Sequence, residues 1–150
     1  MSLSLVACTP SAENTSDTAG IGRTTEFADY SHQFTPEVMW QMGRIGGYHL
    51  SPEARKSVYG VTYYSVEKNR SRSVIYASTP SADSEPALLT SSSASEYAPS
   101  FLPGTDKIVF LAPEENGSGA MQLWSMNADG TGRKQVSFEA EGVDDYLFSP

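Results

Sequence analysis

The segment Gly119–Ser137, GAMQLWSMNADGTGRKQVS, decides the fold class. Its first half alternates with the period of two that a β-strand requires, which places Trp124 and Met126 on one face. The polar stretch Asn127–Gly132 follows, and its Asp-Gly pair is a strong turn signal because glycine adopts positive φ without steric cost. Arg133–Ser137 is then predicted to return as a second strand, so the segment predicts a β-hairpin.

The pattern around this hairpin occurs twice in the chain. Tyr48, Tyr97 and Tyr146 begin the similar segments YHLSP, YAPSFLP and YLFSP, at intervals of 49 residues. In the first two copies a turn, an apolar strand, a polar gap, a third strand, a turn and a short fourth strand follow. These later strands are predicted to begin at Ser57, Ser73 and Ala87 in the first copy and at Ile108, Met121 and Arg133 in the second. The sequence therefore predicts two four-stranded units and the start of a third.

Four short strands in each repeat of about 40–50 residues are typical of β-propeller blades. An antiparallel sandwich is the alternative, but the matching strand order and turns favour the propeller. We expect an all-β fold, a truncated β-propeller that occupies residues 34–150. Blade one is expected at about 48–90, blade two at about 97–137 and the first strand of a third blade at 143–150. Closed propellers have about 4–8 blades, so the chain is expected to be the front part of a longer protein.

One short helix is predicted ahead of the first blade, within Phe34–Tyr48 (FTPEVMWQMGRIGGY). Thr35 suits the N-cap, Pro36 suits the first turn and Gly43 suits the C-cap. The apolar residues of the segment share one face. We therefore expect its methionines and Trp40 to pack against the edge of the propeller.

The N-terminus carries a possible targeting signal in residues 1–8. Leu5–Cys8, LVAC, matches the cleavage box of bacterial lipoprotein signal peptides, which makes Cys8 a lipidation candidate and a membrane tether. Residues 9–33 are small, polar and rich in turn formers, so they are predicted to be a flexible tether. The match is incomplete, because no Lys or Arg and no apolar stretch of about 7–15 residues precedes Cys8. An accidental four-residue match is the alternative.

Composition narrows the classes of partner and site. The net charge of −8 argues against a nucleic-acid partner, which requires clustered basic residues. The single cysteine excludes an internal disulfide. The two histidines, His32 and His49, show no metal-ligand spacing, so neither a metal nor a cofactor is expected, and His49 is interpreted as a strand residue. No apolar run reaches the roughly 18 residues of a membrane helix.

Taken together, these segments resemble the N-terminal propeller of bacterial prolyl oligopeptidase-family serine peptidases, in the dipeptidyl-peptidase and acylaminoacyl-peptidase branch. The resemblance covers about Phe34–Pro150, and MQLWSMNADGTGRKQVS is its most specific part. The similar pieces are Thr35–Arg44, Ser51–Tyr64, Met121–Ser137 and Phe148–Pro150. One departure is the first turn, where the usual SPDGK is replaced by SPEARK, without the turn glycine.

The resemblance implies a periplasmic or cell-envelope parent protein, in which the propeller covers an α/β-hydrolase domain. That parent would cleave short peptides or single residues from peptide N-termini, and the propeller would gate access and position the substrate. The expected partners are peptide substrates and the missing C-terminal hydrolase domain. A Ser–Asp–His triad needs a nucleophile on a G-x-S-x-G elbow, and this sequence contains none, so no catalytic residue is assigned.

Acidic loop positions are the remaining candidates for contact with a peptide amino group. They are interpreted as solvated loop charges: Glu114, Glu115, Glu139, Glu141, Asp144 and Asp145. Two other functions stay open. A Tol-type periplasmic binding propeller would carry no enzyme, and a lyase or glycan-handling propeller would place histidines and basic residues in its central channel.

Overall fold

The computed structural model describes residues 21–23, 34–53, 55–81, 84–90, 93–115 and 119–149. The lipidation candidate Cys8 and His32 lie outside these ranges. The described residues contain one helix, α1 (Pro36–Gln41), and eight strands. The strands are β1 (Arg44–Leu50), β2 (Ser57–Ser65), β3 (Arg70–Ser78), β4 (Ala87–Leu88), β5 (Tyr97–Phe101), β6 (Lys107–Pro113), β7 (Met121–Asn127) and β8 (Lys134–Gln135). In the part of the chain that the structure describes, no helix has the length and hydropathy that a membrane span needs.

The strands form two four-stranded antiparallel sheets, in the orders β1-β2-β3-β4 and β5-β6-β7-β8. The prediction of two successive four-stranded units in a mostly β chain is confirmed. The predicted hairpin is also present, since Trp124 of β7 pairs with Gln135 of β8. Its turn uses Gly130 and Gly132 at φ of 84° and 66°, values that glycine adopts without the steric cost of a side chain. In the described residues the two sheets form no closed ring.

The main hydrophobic core lies between the two sheets. Phe110 pairs with Trp124 and Ile108 with Met126, so the register places these four apolar side chains on one face of the second sheet. Val58 and other residues of the first sheet complete the cluster from the opposite side. Each sheet therefore buries one face against the other, which is the arrangement of a layered β protein.

The other face of the first sheet holds a second apolar cluster. Val61, Tyr63 and Val74 lie there and are covered by Ile21, which is 4% exposed. The guanidinium of Arg72 donates to the Ile21 carbonyl oxygen over 3.1 Å. Ile21 belongs to the predicted tether 9–33, and this part of it is packed on the sheet because an apolar sheet face gains free energy when it is covered.

The structural repeat differs from the tyrosine spacing. Leu50 and Phe101 hold equivalent positions, since each ends its first strand and pairs with the second strand across the turn. They lie 51 positions apart, so Tyr48 corresponds to Pro99 and the predicted equivalence of Tyr48 with Tyr97 is wrong. The hydrogen-bond register defines the repeat, and similar letters at a regular interval do not.

Helix α1 begins where the sequence predicts and ends differently. The Thr35 hydroxyl accepts a hydrogen bond from the Val38 N–H over 3.4 Å, which confirms the N-cap. The C-cap is Met42 in an extended conformation, so the prediction of Gly43 as the C-cap is wrong. No residue of α1 is buried, and Trp40 is only half-buried. The expected packing of the methionines and Trp40 is found only in part, since Trp40 contacts the Tyr64 ring whereas Met39 and Met42 are 37% and 48% exposed.

The expected first strand of a third blade at 143–150 is absent from the described residues 143–149. Side-chain and single backbone contacts hold this segment instead of a ladder. The Val143 N–H donates to the Met121 carbonyl oxygen over 2.7 Å, and the Tyr146 hydroxyl donates to the Val109 carbonyl oxygen over 2.9 Å. A strand requires a continuous hydrogen-bonded partner, and these contacts do not supply one.

Candidate functional site

An open cleft of about 570 Å³ lies along the first strands of both sheets and the C-terminal segment. Strand β1 packs against β5, and all seven residues of β1 are exposed, so the cleft has a wide mouth. The polar and aromatic side chains that line it come from three parts of the chain. They are Tyr48, His49, Ser100, Phe101, Asp145, Tyr146 and Phe148.

His49 joins the first strands of the two sheets. Its Nδ1 atom accepts a hydrogen bond from the Phe101 N–H over 3.4 Å, and the two rings lie 6.3 Å apart. The structure places His49 in a strand, as the sequence predicts, and gives it the role of an inter-sheet contact.

Tyr146 closes the other wall of the cleft. Its hydroxyl lies 2.9 Å from the Val109 carbonyl oxygen and also contacts the Ala98 carbonyl oxygen. Ala98 has a φ of 51° within the β5 bulge, where the ladder is interrupted and carbonyl groups lose their strand partners. Burial raises the pKa of Tyr146, and the neighbouring Asp145 carboxylate raises it further. The hydroxyl therefore stays protonated and acts as a hydrogen-bond donor to the carbonyl oxygens at the bulge.

The acidic loop positions are not brought together. Asp145 lines the cleft, where it accepts a hydrogen bond from the Tyr146 N–H over 2.8 Å. Asp144 is exposed, and its charge is the second cause, after burial, of the raised pKa of Tyr97. The other four lie elsewhere: Glu114 and Glu115 follow β6, and Glu139 and Glu141 follow β8. One carboxylate at the cleft does not form the paired site that an amino group would favour.

The cleft holds no nucleophile paired with a base in the described part of the chain. The Ser100 hydroxyl donates to the Phe101 carbonyl oxygen over 3.4 Å, and no hydrogen bond links it to His49. A serine nucleophile needs a base within hydrogen-bond reach. Among the residues that the structure describes, no group of three or more His, Cys, Asp or Glu could hold a metal ion.

A buried ion pair between the sheets was missed by sequence reasoning. Glu96 is fully buried and pairs with Arg133, whose guanidinium carbon lies 4.4 Å from the Trp124 ring and 5.1 Å from the Phe110 ring. No signal marked Glu96, which follows a serine-rich linker and looks like a solvated charge. Only the packing of the second sheet on the first buries it.

Comparison with known proteins gives relatives among peptidases. No family model matches the chain. Dipeptidyl-peptidase 5 of Porphyromonas endodontalis is 31% identical over 128 residues, which cover 85% of this chain and 18% of that protein. Dipeptidyl-peptidase 5 of Porphyromonas gingivalis is 34% identical over 117 residues, 77% of this chain and 16% of that protein. The chain thus spans less than a fifth of the length of these curated relatives.

A solved structure supports the fold. The AtxE2 isopeptidase without ligand matches 75% of this chain and 21% of its own chain, with a TM-score of 0.57 and 16% sequence identity. At that identity the match concerns the fold alone. The two sequence relatives, in contrast, support a relationship to dipeptidyl-peptidases.

Proposed function

We propose that this chain is a non-catalytic β-propeller portion of an exported serine peptidase that removes short peptides from peptide N-termini. The observation that carries the proposal is the similarity to two dipeptidyl-peptidases over 77–85% of the chain. In this proposal the catalytic triad lies in an α/β-hydrolase domain elsewhere in the parent polypeptide. The proposal agrees with the lack of a nucleophile paired with a base among the described residues.

The geometry of the sheets supports the propeller part of the proposal. Two consecutive four-stranded antiparallel sheets pack face to face, and their first strands lie side by side. Repetition of this step around an axis would build a ring with the first strands at its centre. The outer face of the first sheet, which carries Tyr59 and Tyr76 beside the Ile21 cluster, is the surface on which a further sheet would pack.

The cleft along the first strands would position the peptide. Its volume suits a few residues of extended chain, and its wall combines aromatic rings with a small number of polar groups. Tyr48 is 73% exposed and Leu50 is 50% exposed, so both offer apolar surface to such a chain. We assign substrate gating and positioning to this wall.

Export and lipid anchoring complete the proposal. The support is the LVAC box that ends at Cys8 and the polar stretch behind it. The parent would then reside in the periplasm or the cell envelope. Mass spectrometry of the product of the complete reading frame tests this part, and an unmodified Cys8 in a mature chain that still carries Met1 would contradict it.

The proposed activity is tested on the purified product of the complete reading frame. Dipeptide and acyl-aminoacid 4-nitroanilides are the substrates, each assayed with and without a serine-reactive phosphonate. Phosphonate-sensitive release of dipeptides is expected. An intact protein without any such activity would overturn the proposal and favour a binding propeller.

The positioning role is tested with two exposed aromatic residues. Tyr48→Ala removes a ring from the cleft, whereas Phe138→Ala removes a ring that is 77% exposed and lies outside it. Tyr48→Ala is expected to raise KM about fivefold with little change in kcat, as loss of about 1 kcal/mol of binding would. Equal effects of the two substitutions would contradict the role.

A further inference from the structure

Strand β1 borders the cleft along the first strands and has one unpaired side. It stands at the end of the order β1-β2-β3-β4, and its residues Gly47–Leu50 line the cleft. Among the described residues, only those of β2 form backbone hydrogen bonds with β1. The unpaired side of an edge strand presents a row of N–H and C=O groups with which another chain can pair.

The register identifies the backbone groups on this unpaired side. The Ser51 N–H donates to the Lys56 carbonyl oxygen over 2.8 Å, and the next pair along the ladder is Leu50 with Ser57. In an antiparallel ladder, hydrogen-bonded pairs alternate with pairs whose N–H and C=O groups point away from the partner strand. The backbone groups of Leu50, and those of Tyr48 two positions earlier, therefore point away from β2.

The first strand of the second sheet supports this assignment and differs in one respect. Phe101 holds in β5 the position of Leu50 in β1, and its N–H points away from β6 to the Nδ1 atom of His49, 3.4 Å away. The Tyr146 hydroxyl donates to the carbonyl oxygen of Ala98, also in β5. Neighbouring segments thus occupy two backbone groups of β5. In the described ranges no side chain makes such a hydrogen bond with the backbone of β1.

The backbone of β1 is also open to a close approach. A β-bulge interrupts the ladder between Ile45 and Tyr48, where the chain has the two glycines Gly46 and Gly47. A Cβ atom at Gly47 would meet nothing within 4 Å, and neither glycine has a positive φ. Glycine within a strand often marks a bulge or a place where another backbone approaches closely. A chain that approaches β1 here meets no side chain at two consecutive positions.

The charge of the cleft favours a peptide over an anionic occupant. The lining that the structure describes contains the carboxylate of Asp145 and no Lys or Arg, in a chain with a net charge of −8. A negative potential attracts the positively charged amino end of a free peptide and repels anions. An extended peptide also carries the alternating N–H and C=O groups that match an unpaired strand.

We propose that the unpaired side of β1 binds the extended part of a peptide substrate by strand addition, through the backbone groups of Tyr48 and Leu50. This inference rests on the proposed function and adds the mode of recognition. The two residues together offer about four hydrogen bonds to about three residues of peptide. Backbone pairing fixes the direction of the bound chain and tolerates many side chains, since in this mode the pockets beside the strand give the specificity.

The test is the binding of a labelled peptide to the 150-residue chain, which is read by fluorescence anisotropy and needs no catalytic activity. The probe is Ala-Ala-Thr-Val-Thr-Ala-Ser-Gly with fluorescein at its C-terminus. The matched ligand is the same peptide with methyl groups on the amide nitrogens of its Thr-Val-Thr segment, which removes donors on both sides of the strand and keeps every side chain. A Kd of about 10–100 μM is expected for the probe, and binding at least about tenfold weaker for the methylated peptide.

Two proline substitutions compare the two edges of the first sheet. Leu50→Pro removes an N–H on the unpaired side of β1, where an edge strand tolerates proline. Leu88→Pro is the matched control at the opposite edge, because Leu88 and Leu50 are 54% and 50% exposed. The N–H of Leu88 points away from β3, since Leu88 pairs with Tyr76 and the next N–H, of Leu89, donates to the Ile75 carbonyl oxygen over 2.8 Å.

Leu50→Pro is expected to weaken binding of the probe at least about fivefold, whereas Leu88→Pro should leave it unchanged. Leu50→Ala keeps the N–H and shortens the side chain, so a smaller loss than in Leu50→Pro is expected. Circular dichroism checks that each variant is folded. If Leu50→Pro does not fold, the methylated peptide tests the same hydrogen bonds from the side of the ligand.

Four results would overturn the inference. The first is the absence of saturable binding of the probe up to about 1 mM. The second is equal affinity for the probe and the methylated peptide. The third is a loss in Leu50→Pro that is equalled in Leu50→Ala or Leu88→Pro. The fourth is a dimer in sedimentation that Leu50→Pro dissociates and the probe does not, because the occupant of the edge is then a second copy of the chain.

The two proposals can fail separately. Dipeptide release by the product of the complete reading frame tests the proposed function, and the binding measurements test strand addition. A chain that binds the probe through β1 while the complete product releases no dipeptide would contradict the proposed function alone. Dipeptide release together with any of the four results above would contradict strand addition alone.

Discussion

At the scale of single residues, the buried ion pair between Glu96 and Arg133 joins the segment before β5 to the turn before β8. The Glu96 side chain is fully buried and the Arg133 side chain is 22% exposed. A buried carboxylate is costly unless a cation and hydrogen bonds compensate it. Stacking of Arg133 on Trp124 keeps that cation in position.

We expect Arg133→Met to lower the free energy of unfolding by about 3–5 kcal/mol, because it leaves the Glu96 carboxylate buried without its cation. Arg55→Met breaks the exposed pair with Glu53 and should cost less than about 1 kcal/mol. Urea denaturation of both variants measures the difference. The double substitution Glu96→Gln with Arg133→Met should recover part of the loss, and a further loss would contradict the explanation.

Tyr146 gives a prediction that depends on pH. Burial raises the pKa of Tyr146 above its ordinary value of 10.0, so at alkaline pH the unfolded chain releases this proton first. The stability that the protonated hydroxyl contributes is therefore complete below pH 10 and falls as the pH rises towards the folded-state pKa. Tyr59, Tyr63 and Tyr97 shift in the same direction and add to this loss.

We expect Tyr146→Phe to cost about 1–2 kcal/mol at pH 7, because the Val109 and Ala98 carbonyl groups lose their donor. Between pH 10 and 11 the free energy of unfolding should fall less in this variant than in the unsubstituted chain. Tyr48→Phe alters a 73% exposed residue and should change the free energy of unfolding at pH 7 by less than about 0.5 kcal/mol. If the free energy of unfolding above pH 10 falls equally in the unsubstituted and Tyr146→Phe chains, ionisation of Tyr146 is not the cause of the loss.

At the scale of elements, Gly43 joins helix α1 to strand β1 by close approach and not by positive φ. A Cβ atom at this position would lie 2.6 Å from Tyr63 Cε1 and 2.8 Å from Val61 Cγ1. The chain can therefore cross the outer face of the first sheet only with glycine here. The sequence pattern indicated a special role for the glycine after the helix. That role is close packing against the sheet and not capping of the helix.

Gly43→Ala is expected to destabilise the chain by about 1–3 kcal/mol, since the added methyl group overpacks Val61 and Tyr63. Gly47→Ala is the matched control, because a Cβ atom there meets nothing within 4 Å and its φ is not positive. That control should change stability by less than about 0.5 kcal/mol. Thermal unfolding of both variants measures the two effects, and equal losses would show that close approach is not the cause.

The strands themselves were predictable because alternation and turn chemistry act locally. The β7–β8 hairpin and its Asp-Gly turn follow from neighbouring residues, and the structure confirms both. The equivalence of Tyr48 with Tyr97 failed, because register depends on pairing with a second strand. The expected first strand of a third blade at 143–150 was not found. A strand there would need a neighbouring strand to pair with, and the described residues do not provide one.

At the scale of the whole molecule, one core connects the two sheets. Phe101, Ile108 and Phe110 of the second sheet share it with Val58 and Ile75 of the first. Neither sheet can expose that face without loss of most of its buried apolar area. The two sheets should therefore unfold together.

Ile108→Val is expected to lower the free energy of unfolding by about 0.5–1.5 kcal/mol. The slowest amide hydrogens of β2 and of β6 should then exchange faster by the same factor, because both sheets open in one step. Val136→Ala, at a 47% exposed position, should leave both rates unchanged. Hydrogen exchange read by mass spectrometry measures the factors, and acceleration confined to β6 would show that the sheets are independent.

The sites depended on the tertiary structure much more than the strands did. The first cleft joins residues from β1, β5 and the C-terminal segment, which lie far apart in sequence. Another cleft, beside helix α1, needs Trp40 from the helix together with Tyr64 and Arg70 from the β2–β3 hairpin. Sequence reasoning named Trp40 as a packing residue and gave Arg70 no role, because neither residue carries a local signal of its surroundings.

The sequence by itself determined what depends on neighbouring residues: the strand segments, the hairpin turn, the Thr35 N-cap and the relationship to dipeptidyl-peptidases. The tertiary structure decided which of these pieces meet. It buried Glu96 beside Arg133, seated Ile21 on the outer face of the first sheet and set the 51-residue offset. The physical reason is the range of the interactions along the sequence. Strand propensity and turn chemistry act over a few residues, whereas burial and charge pairing depend on contacts between distant segments.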